Sequence, residues 1–311
     1  MSYTEDFVKH CSDRSRDILG LNPIDPVEFS NQYFNTSKLG DLSTDPNANV
    51  VGISPNNYYS ELAKPAAKKF FFTKLFEHGK KLYPNFSLKD VYDGTIYIHD
   101  STKIQPYCFG TSATEIALFG RPHSVLPAAP PKRLESFMGQ ITEFIMENSQ
   151  EFAGAVAMTD LVPWMAWFIE KGKGDVEIHD PPMELLPSAY TDKDIENIFQ
   201  SFVHVLNNSF RVGGDSPFTN ISVNSKTVYY DIFDHYVFPD GKVVDDLWGT
   251  IKRVQQIIVK FMHKGRPDGL PYKFPILTAN FKSDIKEAES DWFRVVTEYN
   301  ADGFMNINFA E

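Results

Sequence analysis

The chain has 311 residues, 42% hydrophobic and 23% charged, with 26 Phe, 14 Tyr and 4 Trp. That length and apolar content suffice for a sizeable core, and so many rings favour a thick one. The net charge of −11, with no Lys/Arg run longer than a pair, excludes a duplex nucleic-acid footprint but not an anionic small molecule held by a few donors.

Residues 1–55 read as a short helix followed by a polar loop or arm, with loop chemistry from Thr36 to Asn49. Helical character resumes near Tyr58, continues through KPAAKKFFFTKLFEHGKK and ends by Gly79 and Pro84. Gly94–Ile98 reads as a strand. Pro130-Pro131 opens an amphipathic helix that runs to Asn148, with Phe137, Ile141, Phe144 and Ile145 on one face. Its acidic residues Glu135, Glu143 and Glu147 suit either a solvated face or an interface with a second copy.

Ala153–Ile169 is almost wholly apolar, and its small residues Ala153, Gly154, Ala155 and Ala157 read as close helix–helix packing. Thr191 and Asp194 have the spacing of a helix cap. Ile195, Ile198, Phe199, Phe202 and Leu206 continue that helix as a core face, and Gly213-Gly214 reads as its end. Phe218–Val223 alternates like a strand. Leu247, Ile251, Val254, Ile258 and Phe261 form a helical stripe closed by Lys264-Gly265. Phe274–Phe281 reads as a strand, Ile285–Tyr299 as a helix and Phe304–Phe309 as a strand. Short strands between long helices indicate α/β organisation, with residues 56–311 as one domain after the N-terminal arm.

The chemistry-bearing residues are few. Two cysteines, Cys11 and Cys108, make no disulfide framework, and eight histidines form no metal-ligand spacing. There is no secretory leader at MSYTEDFVKHC and no apolar run of membrane-span length, so the expected location is the cytoplasm and no metal is expected in this chain. Cys11 lies on a charged N-terminal helix and reads as structural or incidental. Cys108 closes the distinctive segment GTIYIHDSTKIQPYCFG. Two readings stand: a small buried hydrophobe, or a reactive thiol at a strand end, where Pro106 confines the segment. His99-Asp100 is either a phosphate-binding or carboxylate-orienting histidine, or a simple turn. In NNSFRVGGDSPFTNISV, backbone amides freed by Gly213 and Gly214 suit an anion cradle, but glycine is also an ordinary helix cap.

Taken together, YIHD…QPYCFG (97–110), QEFAGAVAMTDLVPW (150–164), NNSFRVGGDSPFTNI (207–221) and FPILTANF (274–281) resemble one family, the class III anaerobic ribonucleoside-triphosphate reductases. The resemblance implies an α/β fold that is part of a ten-stranded barrel, built from two five-stranded halves around a finger loop. It implies radical reduction of ribonucleoside triphosphates to deoxyribonucleotides. A glycyl radical generates a thiyl radical on the finger-loop cysteine, which takes the ribose 3′ hydrogen. Water then leaves C2′ with the help of a second cysteine. By its place in the motif PYC, Cys108 corresponds to that second cysteine. His99 and the stretch Gly213, Gly214, Ser216, Pro217, Phe218, Thr219 and Asn220 correspond to the nucleotide pocket.

The chain departs from the family pattern in carrying no cysteine after Cys108, no glycyl-radical segment and no four-cysteine zinc site. The N-terminal stretch is short for the family's regulatory ATP cone. The expectation is therefore an N-terminal half that needs a complementing C-terminal reductase chain, which would bring the glycyl radical and the zinc. Further expected partners are a radical-SAM activating enzyme, nucleotide effectors and a second copy in a homodimer, with no nucleic acid and no membrane. A non-catalytic nucleotide-binding remnant and a formate-lyase relative are the competing readings, and the string at 207–221 argues against the latter.

Overall fold

The structure is a computed structural model. It describes residues 25–28, 62–63, 65–74, 90, 95–96, 106–149, 151–152, 154–172, 189–208, 216–233, 236–282 and 291–310. The chain divides into two compact units, Met1–Tyr107 with Ser209–Asp215, and Cys108–Asn208 with Ser216–Glu311.

In the first unit, residues 65–74 are helical, as their pattern predicts, with Phe72 buried and the Phe71 ring edge-on to it at 5.4 Å. Of the strand expected at 94–98, Thr95 and Ile96 are described, and they form a bend in which the Ile96 amide donates to the Asp90 carbonyl at 2.8 Å. The arm boundary expected near residue 55 lies outside the described residues.

The second unit alternates strands and helices in chain order. They are β1 (Phe109–Thr111), α1 (Thr114–Phe119), α2 (Leu134–Asn148), β2 (Val156–Met158), α3 (Leu161–Lys171) and α4 (Asp192–Leu206). Then follow β3 (Thr219–Asn224), α5 (Lys226–Phe233), α6 (Val244–Lys264), β4 (Ile276–Asn280), α7 (Asp291–Tyr299) and β5 (Ile307–Ala310). The five strands form one sheet in the order β1-β2-β3-β4-β5, and every pair is parallel. Crossovers of one hand that always advance in the same direction keep their helices on one side of the sheet. The fold is thus α/β with one helix-covered face.

Local chemistry accounts for the helices. Thr191 Oγ1 accepts from the Asp194 amide at 3.2 Å while Asp194 Oδ2 accepts from the Thr191 amide at 2.9 Å, the reciprocal box its spacing predicts. That helix, α4, ends at Leu206 with Asn207 as its cap, before the glycines at 213 and 214 are reached. Asn207 also ties the approach to β4, its Nδ2 donating to the Phe274 carbonyl at 2.5 Å and its Oδ1 accepting from the Lys273 amide at 2.8 Å. Helix α6 stops at Gly265, whose φ of 65° is left-handed and whose added Cβ would meet the Phe304 ring at 2.7 Å.

The apolar run 153–169 is not one helical packing surface. It divides into β2 and α3, so Ala157 is a strand residue, and α3 is buried from Leu161 to Ile169. Nor are the acids of α2 merely solvated. The Arg121 guanidinium, with its side chain 4% exposed, pairs with Glu143 and Glu147, each at 2.5 Å, and Tyr190 donates to Glu135 at 2.7 Å.

The core lies between helices and sheet. Phe137 of α2 stacks on Phe168 of α3 at 4.8 Å, Trp164 meets Phe238 edge-on at 5.0 Å, and Phe199 of α4 meets Phe261 of α6 at 5.7 Å. Each such side chain contributes roughly 1.5–3 kcal/mol on full burial. Among the described residues no helix is long and apolar enough to cross a membrane.

Candidate functional site

Strand register sorts the side chains of the sheet into two faces, because lateral neighbours point the same way and successive residues point opposite ways. The rows Thr111–Met158–Ile221–Leu277–Ile307 and Val223–Ala279–Phe309 belong to the helix side. Met158, Ile221, Val223, Leu277 and Ala279 are buried there in the core. The other face carries the rows Gly110–Ala157–Asn220–Ile276, Ser222–Thr278–Asn308 and Asn224–Asn280–Ala310. Amides and hydroxyls dominate it. Such a face is poor at packing helices and well supplied with donors and acceptors for a polar ligand.

Cys108 heads this polar face. The Phe109 amide donates to the Ala155 carbonyl at 2.9 Å, the first rung of the β1–β2 ladder. The Phe109 ring stacks on Phe152 at 4.9 Å and lies 6.5 Å from Phe144 of α2, which fixes it on the helix side. Alternation then places Cys108 with Gly110 on the opposite side. Its thiol is free and exposed, which decides against the buried-hydrophobe reading.

Asn220 stands on the same face, two strands over. Its Nδ2 donates to Thr278 Oγ1 at 2.8 Å, and Thr278 Oγ1 lies 3.2 Å from Asn220 Oδ1. One layer further, Asn280 Nδ2 donates to Asn224 Oδ1 at 2.6 Å. The Asn224 backbone is pinned by Gln255 of α6, whose Oε1 accepts from its amide at 2.6 Å and whose Nε2 donates to its carbonyl at 3.1 Å. Asn224 Nδ2 is buried with no hydrogen-bond partner among the described residues.

The remaining expected residues are distributed differently. Ser216, Pro217 and Phe218 lead into β3, where the Phe218 carbonyl accepts from the Val156 amide at 2.9 Å and the Phe218 ring lies 5.2 Å from that of Phe274. Thr219 is fully buried on the helix side and donates to the Pro217 carbonyl at 3.3 Å. The structure therefore brings Cys108 and Asn220, and not Thr219, onto one face. His99, Gly213 and Gly214 lie outside the described residues, as does Cys11.

A second polar cluster holds the end of β1. Asp160, only 4% exposed, accepts from the Ser112 hydroxyl, from the Ala113 amide at 2.8 Å and from Thr114 Oγ1 at 3.1 Å. Thr114 Oγ1 also accepts from Trp164 Nε1 at 3.0 Å and lies 3.0 Å from the Tyr236 hydroxyl. Burial, reinforced by the Asp160 charge, pushes the Tyr236 phenol above its ordinary pKa, so it stays a neutral donor.

Sequence reasoning passed over Thr278, Ser222, Asn224, Asn280 and Asp160. The alternation Asn220-Ile221-Ser222-Val223-Asn224 was the available signal for a two-faced strand. Among the described residues no group of three or more His, Cys, Asp or Glu side chains is arranged to hold a metal.

The sequence profile described as anaerobic ribonucleoside-triphosphate reductase matches residues 46–311. The chain belongs to the anaerobic ribonucleoside-triphosphate reductase family. Solved reductase structures agree in fold. The Thermotoga maritima anaerobic ribonucleotide reductase with citrate in the active site superposes with a TM-score of 0.71 at 23% identity, over 95% of this chain and 51% of that one. The same enzyme with dATP bound in the specificity site gives 0.70 at 22%, over 99% and 49%. Its complex with dATP and CTP gives 0.67 at 22%, over 100% and 50%. The present chain thus spans about half the length of these reductases. None of the curated proteins compared with it matches.

Proposed function

We propose that this chain forms the N-terminal half of the catalytic barrel of an anaerobic ribonucleoside-triphosphate reductase, with the polar sheet face as the inner wall of its nucleotide site. The observation that carries this reading is the exposed thiol of Cys108 at the head of a polar face, inside a stretch that matches the family. Family membership supplies the reaction class, an oxidoreduction at ribose. In it, once the finger-loop thiyl radical has taken the 3′ hydrogen, the C2′ hydroxyl leaves as water on a proton drawn from solvent, and Cys108 gives the hydrogen of its weak S–H bond to the C2′ radical. The finger-loop thiol then returns the 3′ hydrogen, and an external reductant, formate or a thiol protein, supplies the two electrons that complete the reduction and restore the Cys108 thiol.

The finger-loop cysteine, the glycyl radical and the zinc site belong to a complementing C-terminal part. A radical-SAM enzyme activates it, nucleotides act as effectors, and the complete enzyme is a homodimer. An open sheet supports the need for completion: Phe309 on the last strand is 42% exposed, and the outer edges of β1 and β5 are unpaired among the described residues. Ser216, Pro217, Phe218, Thr219 and Asn220 are proposed to contribute to the nucleotide pocket, Asn220 from the wall itself and Thr219 from behind it, while His99, Gly213 and Gly214 are candidates for it from the family motif alone.

The test is alkylation of Cys108 by iodoacetamide in the complete reductase, followed by peptide mass spectrometry with and without CTP. Bound CTP is expected to slow modification at least tenfold. An unchanged rate at saturating CTP contradicts the assignment of this face to the nucleotide.

A further inference from the structure

Between Cys108 and Asn220 the polar face has almost no side chains. The lateral row there is Gly110 on β1 and Ala157 on β2, next to Asn220 on β3. Strands are spaced about 4.8 Å apart and residues about 3.3 Å along a strand, so the thiol-bearing residue and Asn220 stand roughly 12 Å apart across this floor. The flanking groups differ in kind: a thiol on one side, and on the other a carboxamide with a neighbouring Thr278 hydroxyl.

Among the described residues nothing requires Gly110 to be glycine. Its φ is not left-handed, and a Cβ built on it meets nothing within 4 Å. Gly120 and Gly265 differ in this respect, since both have positive φ and both would collide with neighbouring atoms. A strand-interior glycine costs stability, and where neither backbone nor packing demands it, close approach by another molecule is the remaining reason.

Building on the function proposed above, we infer that Gly110 sets the fit of the substrate. The furanose of a ribonucleoside triphosphate lies flat on the Gly110–Ala157 floor, its hydroxyl-bearing edge at Cys108, while Asn220, braced by Thr278, hydrogen-bonds the opposite edge. The missing Cβ lets the ring reach the depth at which C2′ meets the thiol. Gly110 is then a specificity-determining residue that takes no part in the chemistry.

The test is Gly110→Ala in the complete reductase, read four ways. Thermal midpoint is expected to be unchanged or raised, because the added methyl enters open space and alanine suits a strand better. Alkylation of Cys108 without nucleotide is expected to match wild type. The KM for CTP is expected to rise at least tenfold, and CTP protection of Cys108 to disappear at concentrations that protect wild type. A KM within twofold of wild type, or protection as strong as wild type, overturns the inference while leaving the function standing. Failure of CTP to protect wild-type Cys108 removes the function itself, and this inference with it.

Discussion

Asp160 shows how much of the site hangs on one buried carboxylate. It gathers the Ser112 hydroxyl, the Ala113 amide and the Thr114 hydroxyl at the end of the strand that Cys108 leads into. Removing it leaves the buried Ala113 amide without its acceptor, where an unsatisfied polar group costs about 1–3 kcal/mol, and takes an acceptor from the more exposed Ser112 and Thr114 hydroxyls. Asp160→Ala is expected to lose about 3 kcal/mol in urea unfolding and Asp160→Asn, which keeps an acceptor, about half as much. A loss below about 1 kcal/mol for the alanine variant contradicts the role. Residue-level function was partly legible. Cys108 stood out by rarity and by Pro106, but its exposure depends on the turn of β1, which Phe109 settles by packing on Phe152. Asp160 gave no local sign, because its partners are 46–48 residues away.

At the scale of elements, caps and cross-links carry the stability. Thr191→Ala removes one side of the α4 capping box and is expected to cost about 1 kcal/mol by thermal unfolding. Helix α4 is also tied to α6 by Lys264, whose Nζ lies 2.6 Å from Glu196. That hydrogen bond, with the Lys264 and Lys193 charges, holds the Glu196 carboxyl below its ordinary value of 4.5. A depressed carboxyl pKa stabilises the fold above the unfolded value and is lost as pH falls through the folded one. The link is therefore expected to be complete at neutral pH and to fail below about pH 4.5. Glu196→Gln is expected to lower stability slightly at pH 7 and by progressively less as pH falls below about 4.5; a loss that does not shrink on acidification would contradict the linkage. Helix α4 began where expected but stopped at Leu206, well before Gly213, while α2 and α6, with strong periodicity, were legible within a few residues. The short α1 and α5 were not, since 6 and 8 residues hold too few turns to show a period. The small residues before α3 misled for a related reason: β2 has only 3 residues, too few to alternate visibly.

At the scale of the molecule, α/β organisation followed from alternating patterns, and the structure adds what pattern cannot carry: an unbroken parallel strand order, and hence one helix-covered face and one polar face. The polar rows come from three separate strands, so only the register reveals that Asn220, Thr278 and Asn308 belong together with the face headed by Cys108. The chain matches solved reductases over nearly its whole length and spans about half of theirs.

The most direct measurement is deoxycytidine triphosphate formation from CTP by the activated, complete reductase carrying Cys108→Ser. A serine O–H is too strong a bond to give its hydrogen to carbon, so product formation is expected to fall at least a thousandfold while CTP binding stays within a few-fold of wild type. Turnover comparable to wild type would show that the thiol heading the polar face is not the one that works on the ribose.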